Sequence, residues 1–563
     1  MNESRLPSDT SEPSATLAPV IRHFDGRRPA LLIIMDGWGI GTGGPEDAIA
    51  QANTPVFDRL WRDFPHTQLL THGPYVGLSS EKDLGGSEVG HLTMGAGRIL
   101  DQGPTRITKA IADGSFFESP VLNEIIGHVL EHGSTLHLLG LLSDGNVHSH
   151  IEHFLAVIRH ADARGVARLR LHALFDGRDV GIQTAQDYVA RVEALFADIN
   201  ARGGRDYRIA SAGGREVITM DRDHDWRKVQ AGWEAHVHGR APHAFRSAIE
   251  GIEHFRAETP GLVDQDMPPF VLVDDHGDPV GPMRDGDAVL MMNFRGDRAI
   301  EITEAFELDD FDGFDRGERP DVLYAGMMVY DEDRNLPRLQ VMGPTVVENA
   351  FGERILRAGI RQFRLTETQK FPHVTFFFNG GRREPLDPAM EDYILIPSDK
   401  GVSFADVPEM KAPEIAARAV ELIESGEYGF GLINFANADM VGHCGRLDAA
   451  VRAVEAVDAA IGRIVAALER AGGTALITAD HGNAEEMLVH TDHGDEPCTR
   501  HSTNPAPCIL FDAEWDGGYH LRQPGPDDDV QRTPGLSHLA ATLFVMLGMA
   551  PPADMNPPLI QTD

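Results

Sequence analysis

The sequence predicts an α/β protein, and three observations predict it. Short apolar runs at residues 30–35, 431–436 and 474–479 are each closed by an Asp- and Gly- or Asn-containing turn, as buried parallel strands are. Such runs alternate with helical stretches, the pattern of an open sheet covered by helices. The clearest helix, residues 446–471, puts Leu447, Val451, Val454, Ile461, Ile464 and Leu468 on one face, and Gly472-Gly473 ends it.

Taken in order, residues 1–26 are polar and rich in Pro and Ser, lack the apolar stretch of a signal peptide, and read as a disordered tail. The first strand and its turn carry the chain to about residue 100. The middle region has apolar runs of its own at 136–142, 169–175 and 288–294, separated by helical stretches, and reads as a second α/β unit. The first pattern then resumes. Asp36 lies before the middle region, whereas Asp439 and Asp480 lie after it. Residues 102–344 are therefore expected to be a domain inserted into one built from 27–101 and 345–563.

Composition sets outer limits. The 563 residues carry 50 Lys and Arg against 87 Asp and Glu, a formal charge of −37, which argues against a general nucleic-acid binder. An anionic small substrate remains compatible, because a local arginine cluster can dominate a pocket. Cys444, Cys498 and Cys508 form no disulfide framework, so a reducing cytoplasm is expected. No apolar run is long enough to span a bilayer, and no membrane partner is expected.

The strand ends carry the chemistry. Ligands collect outside the carboxyl ends of strands in open α/β sheets. Asp36, Asp439 and Asp480 each follow an apolar run, and His443 and His481 accompany two of them. One such Asp is as easily a cap or a turn former. Three, two of them with histidines and with His501 nearby in sequence, make a set of oxygen and nitrogen donors sufficient for two ions. Ser87, in Gly85-Gly-Ser-Glu-Val-Gly-His, is the candidate nucleophile beside such a centre. Arg178, Arg215, Arg222, Arg295 and Arg298 gather in loops of the middle region, where guanidinium forks suit carboxylate or phosphate. Lys370 is a candidate stabiliser of a transferring phosphoryl group.

Met35-Asp-Gly-Trp-Gly, Ser87-Glu-Val-Gly-His-Leu, Asp176-Gly-Arg-Asp, Asn293-Phe-Arg-Gly-Asp-Arg and Thr478-Ala-Asp-His-Gly-Asn follow one another in an order that carries a resemblance. From about residue 28 to about 550 the chain resembles the cofactor-independent phosphoglycerate mutases, metal-dependent members of the alkaline phosphatase superfamily. The resemblance implies an alkaline-phosphatase-like domain, its mostly parallel sheet sandwiched by helices, plus the inserted substrate-binding (phosphotransferase) α/β domain. It implies one divalent ion held by Asp36, Ser87, Asp480 and His481, and a second held by Asp439, His443 and His501. Mn²⁺ would be the common occupant, with Zn²⁺ and Co²⁺ accepted by the same donors.

The insert would grip glycerate with His148, Arg178, Asp179, Arg215, Arg222, Arg295 and Arg298. Ser87 would take the phosphoryl group of 3-phosphoglycerate as phosphoserine. The reoriented glycerate would take it back on its 2-hydroxyl, deprotonated with help from Asp179, while Lys370 stabilises the group in transit. No 2,3-bisphosphoglycerate is required, the partner is a phosphoglycerate, and a monomer is the expected state. The alternative is a metal-dependent phosphomonoesterase of the same superfamily. The chain departs from the family's phrases at Gly86, at Cys444, and by one extra residue between Arg215 and Arg222.

Overall fold

The computed structural model describes residues 17–331, 334–343, 345–491 and 494–562. The chain forms two compact units, one from Met1–Gln102 with Thr345–Asp563, the other from Gly103–Pro344.

The first unit begins with strands β1 (Ala30–Met35) and β2 (His66–Leu69). The second supplies β3 (Thr135–Leu141), β4 (Arg168–Phe175), β5 (Asp206–Gly214), β6 (His243–Phe245), β7 (Phe270–Leu272), β8 (Ala288–Met291) and β9 (Leu323–Gly326). The first then resumes with β10 (Gln362–Glu367), β11 (Glu391–Ile396), β12 (Phe430–Phe435) and β13 (Thr474–Thr478). A hairpin of β14 (Leu488–Thr491) and β15 (Gly494–Pro497) precedes β16 (Ala506–Asp512).

In the first unit the sheet order is β11-β10-β12-β1-β13-β16-β2. Strands β11, β10, β12, β1 and β13 run parallel, and β16 is antiparallel to both its neighbours. Every residue of β1 is buried. Leu31, Ile33 and Met35 enter the core beneath the helices Ala412–Ser425 and Leu447–Ala471, while Ala30, Leu32 and Ile34 enter the core on the opposite face with the helix Leu539–Met546. Burial on both faces is why this strand reads as a continuous apolar run and not as an alternation. The long helix spans Leu447–Ala471 and ends on Gly472, whose φ of 70° lies in the left-handed region.

The second unit has its own sheet, ordered β6-β7-β5-β4-β3-β8-β9 and parallel except between β5 and β7. Leu136 and Leu138 of β3 face one core, and Leu139 and Leu141 face the other. Both units are thus α/β, with mostly parallel sheets between helices. Among the described residues no helix is long and apolar enough to cross a membrane.

One expectation needs correction. Of the segment read as a tail, residues 1–16 lie outside the described residues, but Ala18–Phe24 is a helix with Pro19 in its first turn and Val20 and Phe24 buried. Phe24 packs beside Tyr519, and His23 and Arg27 both reach Asp512 at the end of β16, at 2.7 and 2.6 Å. The Pro- and Ser-rich composition before this helix hides its two core residues.

Candidate active site

The site of the first unit is built at the carboxyl edge of its sheet. Strands β12, β1 and β13 are adjacent and in step, Met35 opposite Phe435 and Ile34 opposite Thr478. The residues just past their ends therefore converge. Gly37, with φ of 76°, permits the closest approach: a Cβ there would lie 2.7 Å from the backbone of Asp439. The Asp439 amide donates to the Asp36 carbonyl at 3.0 Å, which fixes the two segments together.

Asp36, Ser87, Lys370, Asp439, His443, Asp480, His481 and His501 all meet here. Ser87 is the first residue of the helix Ser87–Ala96. Its hydroxyl lies 3.2 Å from Asp36 Oδ1 and 3.0 Å from His481 Nε2. Lys370 Nζ donates to Ser87 Oγ, Asp36 Oδ1 and Asp439 Oδ2, each at 2.7 Å. Lys370 ends a short 3₁₀ turn after β10, and the apolar run that follows it forms a π-helical turn over His373–Phe377. Ser87, Lys370, His373, Asp439, His443 and His501 line a cavity of about 470 Å³.

The electrostatics are those of a cation site. Burial alone would lower Lys370, but Asp36, Asp439 and Asp480 outweigh it and hold the ammonium above its ordinary range. Burial and the neighbouring charge of Asp36 push Asp480 up to about 6, while Lys370 overcomes burial to keep Asp36 at about 2. One ammonium thus faces three buried carboxylates.

The donor set fits divalent metal. Both oxygens of Asp480 are buried without a hydrogen-bond donor. Asp36, Asp480 and His481 offer ligand atoms within 4.8 Å of one another, as do Asp439, His481 and His501. His443 Nδ1 donates to the Thr499 carbonyl at 2.6 Å, and His501 Nδ1 to the Gly85 carbonyl at 2.7 Å. Each ring therefore turns Nε2 inward, the orientation that backbone carbonyls impose on metal-binding histidines. Those two Nε2 atoms stand 3.2 Å apart, and 3.1 and 3.2 Å from Asp439 Oδ1. Two imidazole nitrogens thus converge on one carboxylate oxygen, an arrangement that a shared metal ion would satisfy.

Sequence reasoning missed the residues that hold these donors. Asn434 Nδ2 donates to Asp36 Oδ2 at 2.8 Å and lies 3.2 Å from His91 Nε2. His91 Nδ1 in turn donates to the Ser87 carbonyl at 2.8 Å. Asn483 Nδ2 donates to Asp439 Oδ1 at 3.2 Å. A polar Asn within the apolar run of β12, and a histidine one helical turn after Ser87, were the available signals.

The second unit gathers the arginines past the ends of its own strands. Arg215 is buried and donates to Asp176 Oδ1 at 2.8 Å and to Asp179 Oδ2. His148 Nε2 lies 4.0 Å from Asp179, and its Nδ1 lies 3.4 Å from Asp297, which also pairs with Arg295 at 3.2 Å. Burial and then Arg215, Arg295 and Arg298 lower His148 to about 3, so its ring is neutral. Arg178 and Arg298 meet on Glu216, another residue that the sequence did not single out. Arg222 is exposed and makes no ion pair among the described residues. Six of the seven expected glycerate residues thus fall in two ion-pair clusters, His148, Asp179, Arg215 and Arg295 in one and Arg178 and Arg298 in the other, and Arg215 belongs to the first despite the extra residue that follows it.

Comparison with known proteins agrees with this chemistry. The Metalloenzyme superfamily matches residues 28–551. A probable 2,3-bisphosphoglycerate-independent phosphoglycerate mutase of Leptospira interrogans is 43% identical over 548 residues, 95% of this chain and 98% of that protein. The chain belongs to the 2,3-bisphosphoglycerate-independent phosphoglycerate mutase family. The family's Trypanosoma brucei brucei member is 42% identical over 546 residues, again 95% of this chain and 98% of the relative. A crystal structure of Leishmania mexicana phosphoglycerate mutase at low cobalt concentration superposes with a TM-score of 0.62 at 41% identity, covering 96% of this chain and 98% of that one. Membership in the family and the donor set on the strand ends together make the first unit's site a divalent-metal site.

Proposed function

We propose that the chain interconverts 3-phosphoglycerate and 2-phosphoglycerate through a phosphoserine at Ser87, without 2,3-bisphosphoglycerate. The observation that carries the reading is Ser87 Oγ, at a helix N-terminus and in contact with Lys370, Asp36 and His481. A helix N-terminus favours the anionic phosphoryl group, and Lys370 adds a full positive charge at the oxygen that must attack.

In the first step Ser87 Oγ bonds to phosphorus as the bond from phosphorus to the 3-oxygen of glycerate breaks, and the serine proton goes to that oxygen. In the second the 2-hydroxyl of glycerate bonds to phosphorus, Asp179 takes its proton, and Ser87 Oγ is released and takes up a proton from solvent as Asp179 gives one back. Asp36, Ser87, Asp480 and His481 would hold one cation, and Asp439, His443 and His501 the other. When bound, these ions lower the pKa of the serine hydroxyl and neutralise charge on the transferring group. Mn²⁺ is the proposed occupant. His148, Arg178, Arg215, Arg222, Arg295 and Arg298 would bind the glycerate, with Arg215 also orienting Asp179 through their ion pair.

We further assign the protein to the cytoplasm as a monomer. The three free cysteines support a reducing compartment, and light scattering would test the state of association.

The decisive assay follows 2-phosphoglycerate and free phosphate in one reaction with Mn²⁺ and 3-phosphoglycerate alone. Isomerisation with little phosphate release is the expected result. Phosphate release without isomerisation would reassign the chain as a phosphomonoesterase.

A further inference from the structure

Among the arginines of the second unit, two share a counter-ion. Arg178 Nη1 lies 3.0 Å and Arg298 Nη1 3.2 Å from the same oxygen of Glu216, Oε1. The other oxygen, Oε2, faces Lys228 Nζ at 4.0 Å, and Lys228 also pairs with Asp221 at 3.3 Å. The remaining cations are differently held. Arg215 is fixed by two carboxylates and its side chain is only 2% exposed, while Arg295 pairs with Asp297. The Glu216 side chain is 22% exposed and that of Arg178 51%, whereas that of Arg298 is 6%, so the Arg178 half of the pairing is the one that exchanges for another anion at modest cost.

We propose that Glu216 is a built-in competitor that sets the affinity threshold for anions, its carboxylate occupying the place of an incoming anion between Arg178 and Arg298. The proposal rests on the reading that these two arginines bind the carboxylate-bearing substrate. An anion that takes the Nη1 donors of both guanidinium groups must displace Glu216 Oε1. A small inorganic ion only exchanges one set of ion pairs for another. A hydroxy-carboxylate gains further hydrogen bonds from the surrounding groups and wins the exchange. Lys228, already on the far side of the Glu216 carboxylate, supplies the compensating charge once Glu216 is displaced. The cost is the same for every anion, so it leaves their affinity ratios unchanged; it raises the concentration at which weak anions occupy the site, while those with further hydrogen bonds still bind at low concentration.

The test uses the full Mn²⁺-loaded protein, with inorganic sulfate as the probe. Glu216→Gln keeps the shape and removes the charge. It is expected to tighten sulfate binding about 3- to 10-fold, as loss of partly exposed ion pairs predicts. Calorimetry reads this without turnover, and the inhibition constant for sulfate should move with it. Lys228→Met removes the compensating charge and is expected to weaken sulfate binding and raise KM, the opposite direction. Unchanged or weaker sulfate binding in a folded Glu216→Gln protein, with KM raised, would overturn the proposal and leave Glu216 as a structural brace for the arginines. Absence of isomerisation in the unmutated protein would instead sink the mutase reading, while the calorimetry would still decide whether Glu216 competes with anions.

Discussion

The ammonium of Lys370 donates to the hydroxyl oxygen of Ser87 at 2.7 Å. Its other two hydrogen bonds go to Asp36 and Asp439, so the charge cannot swing away from the nucleophile. Such a group stabilises charge as it develops on the reacting atoms, with no reorganisation at the moment of reaction. Lys370→Met is expected to lower kcat by roughly 10²- to 10³-fold with little change in KM. Steady-state kinetics on both substrates checks this. A raised KM at unchanged kcat would show that Lys370 serves only ground-state binding.

Ser87→Ala should abolish isomerisation and the covalent intermediate together. Six further metal-ligand candidates remain, so metal content and fold are expected to persist. Acid-quenched reactions with radiolabelled 3-phosphoglycerate should label the unmutated protein and leave the variant blank. Label retained by the variant would move the nucleophile elsewhere.

Chelation should destabilise as well as inactivate. Metal that binds only the folded chain adds roughly 4 kcal/mol at a thousandfold excess over Kd. Without metal, three buried carboxylates face one lysine, and Asp480 has no hydrogen-bond donor at either oxygen. Asp480→Asn is therefore expected to weaken metal binding yet stabilise the metal-free protein by about 2 kcal/mol, because an uncompensated buried charge is removed. Thermal melts with and without chelator, compared between variant and parent, read both effects. A variant less stable than its parent in chelator would contradict this account.

Acid should loosen the N-terminal helix. Burial alone would raise Asp512, but His23, the Glu514 amide, Arg27 and Tyr519 hydrogen-bond to it and hold it below its ordinary value. A carboxyl depressed in the folded state contributes stability that is complete above its unfolded pKa of about 3.9 and disappears as pH falls through the lower folded value. Hydrogen exchange in Ala18–Phe24 is expected to accelerate below about pH 4 relative to the sheet core. Asp512→Asn should produce the same acceleration at neutral pH. Equal protection in parent and variant would show that Phe24 and Val20 anchor the helix unaided.

The parts of the site legible in the sequence are those whose signal is local. Asp36, Asp439 and Asp480 end apolar runs, and buried parallel strands dictate both the run and the edge where it stops. The helix Leu447–Ala471 was legible from its periodicity and its glycine stop. Asn434, His91 and Asn483 were not singled out, because what they do is defined by partners 398 residues away, one helical turn away and 44 residues away. Glu216 gave no signal at all: one more acid in an acid-rich chain becomes notable only when two guanidinium groups are seen on one of its oxygens. The helix at Ala18–Phe24 was obscured by composition, since two core residues scarcely alter the average of a polar segment.

Strand order also sets a timetable for synthesis. β1 lies between β12 and β13, so a growing chain carries this six-residue apolar strand, buried on both faces in the finished protein, long before either neighbour exists. Asn434, which will hold Asp36, follows it by 398 residues. At roughly 5–20 residues per second that is a wait of about 20–80 s. The seven strands of the second sheet emerge meanwhile without interruption and need nothing made later. The nascent protein therefore carries one sheet that can close early and two strands, β1 and β2, whose sheet partners arrive only with the C-terminal half.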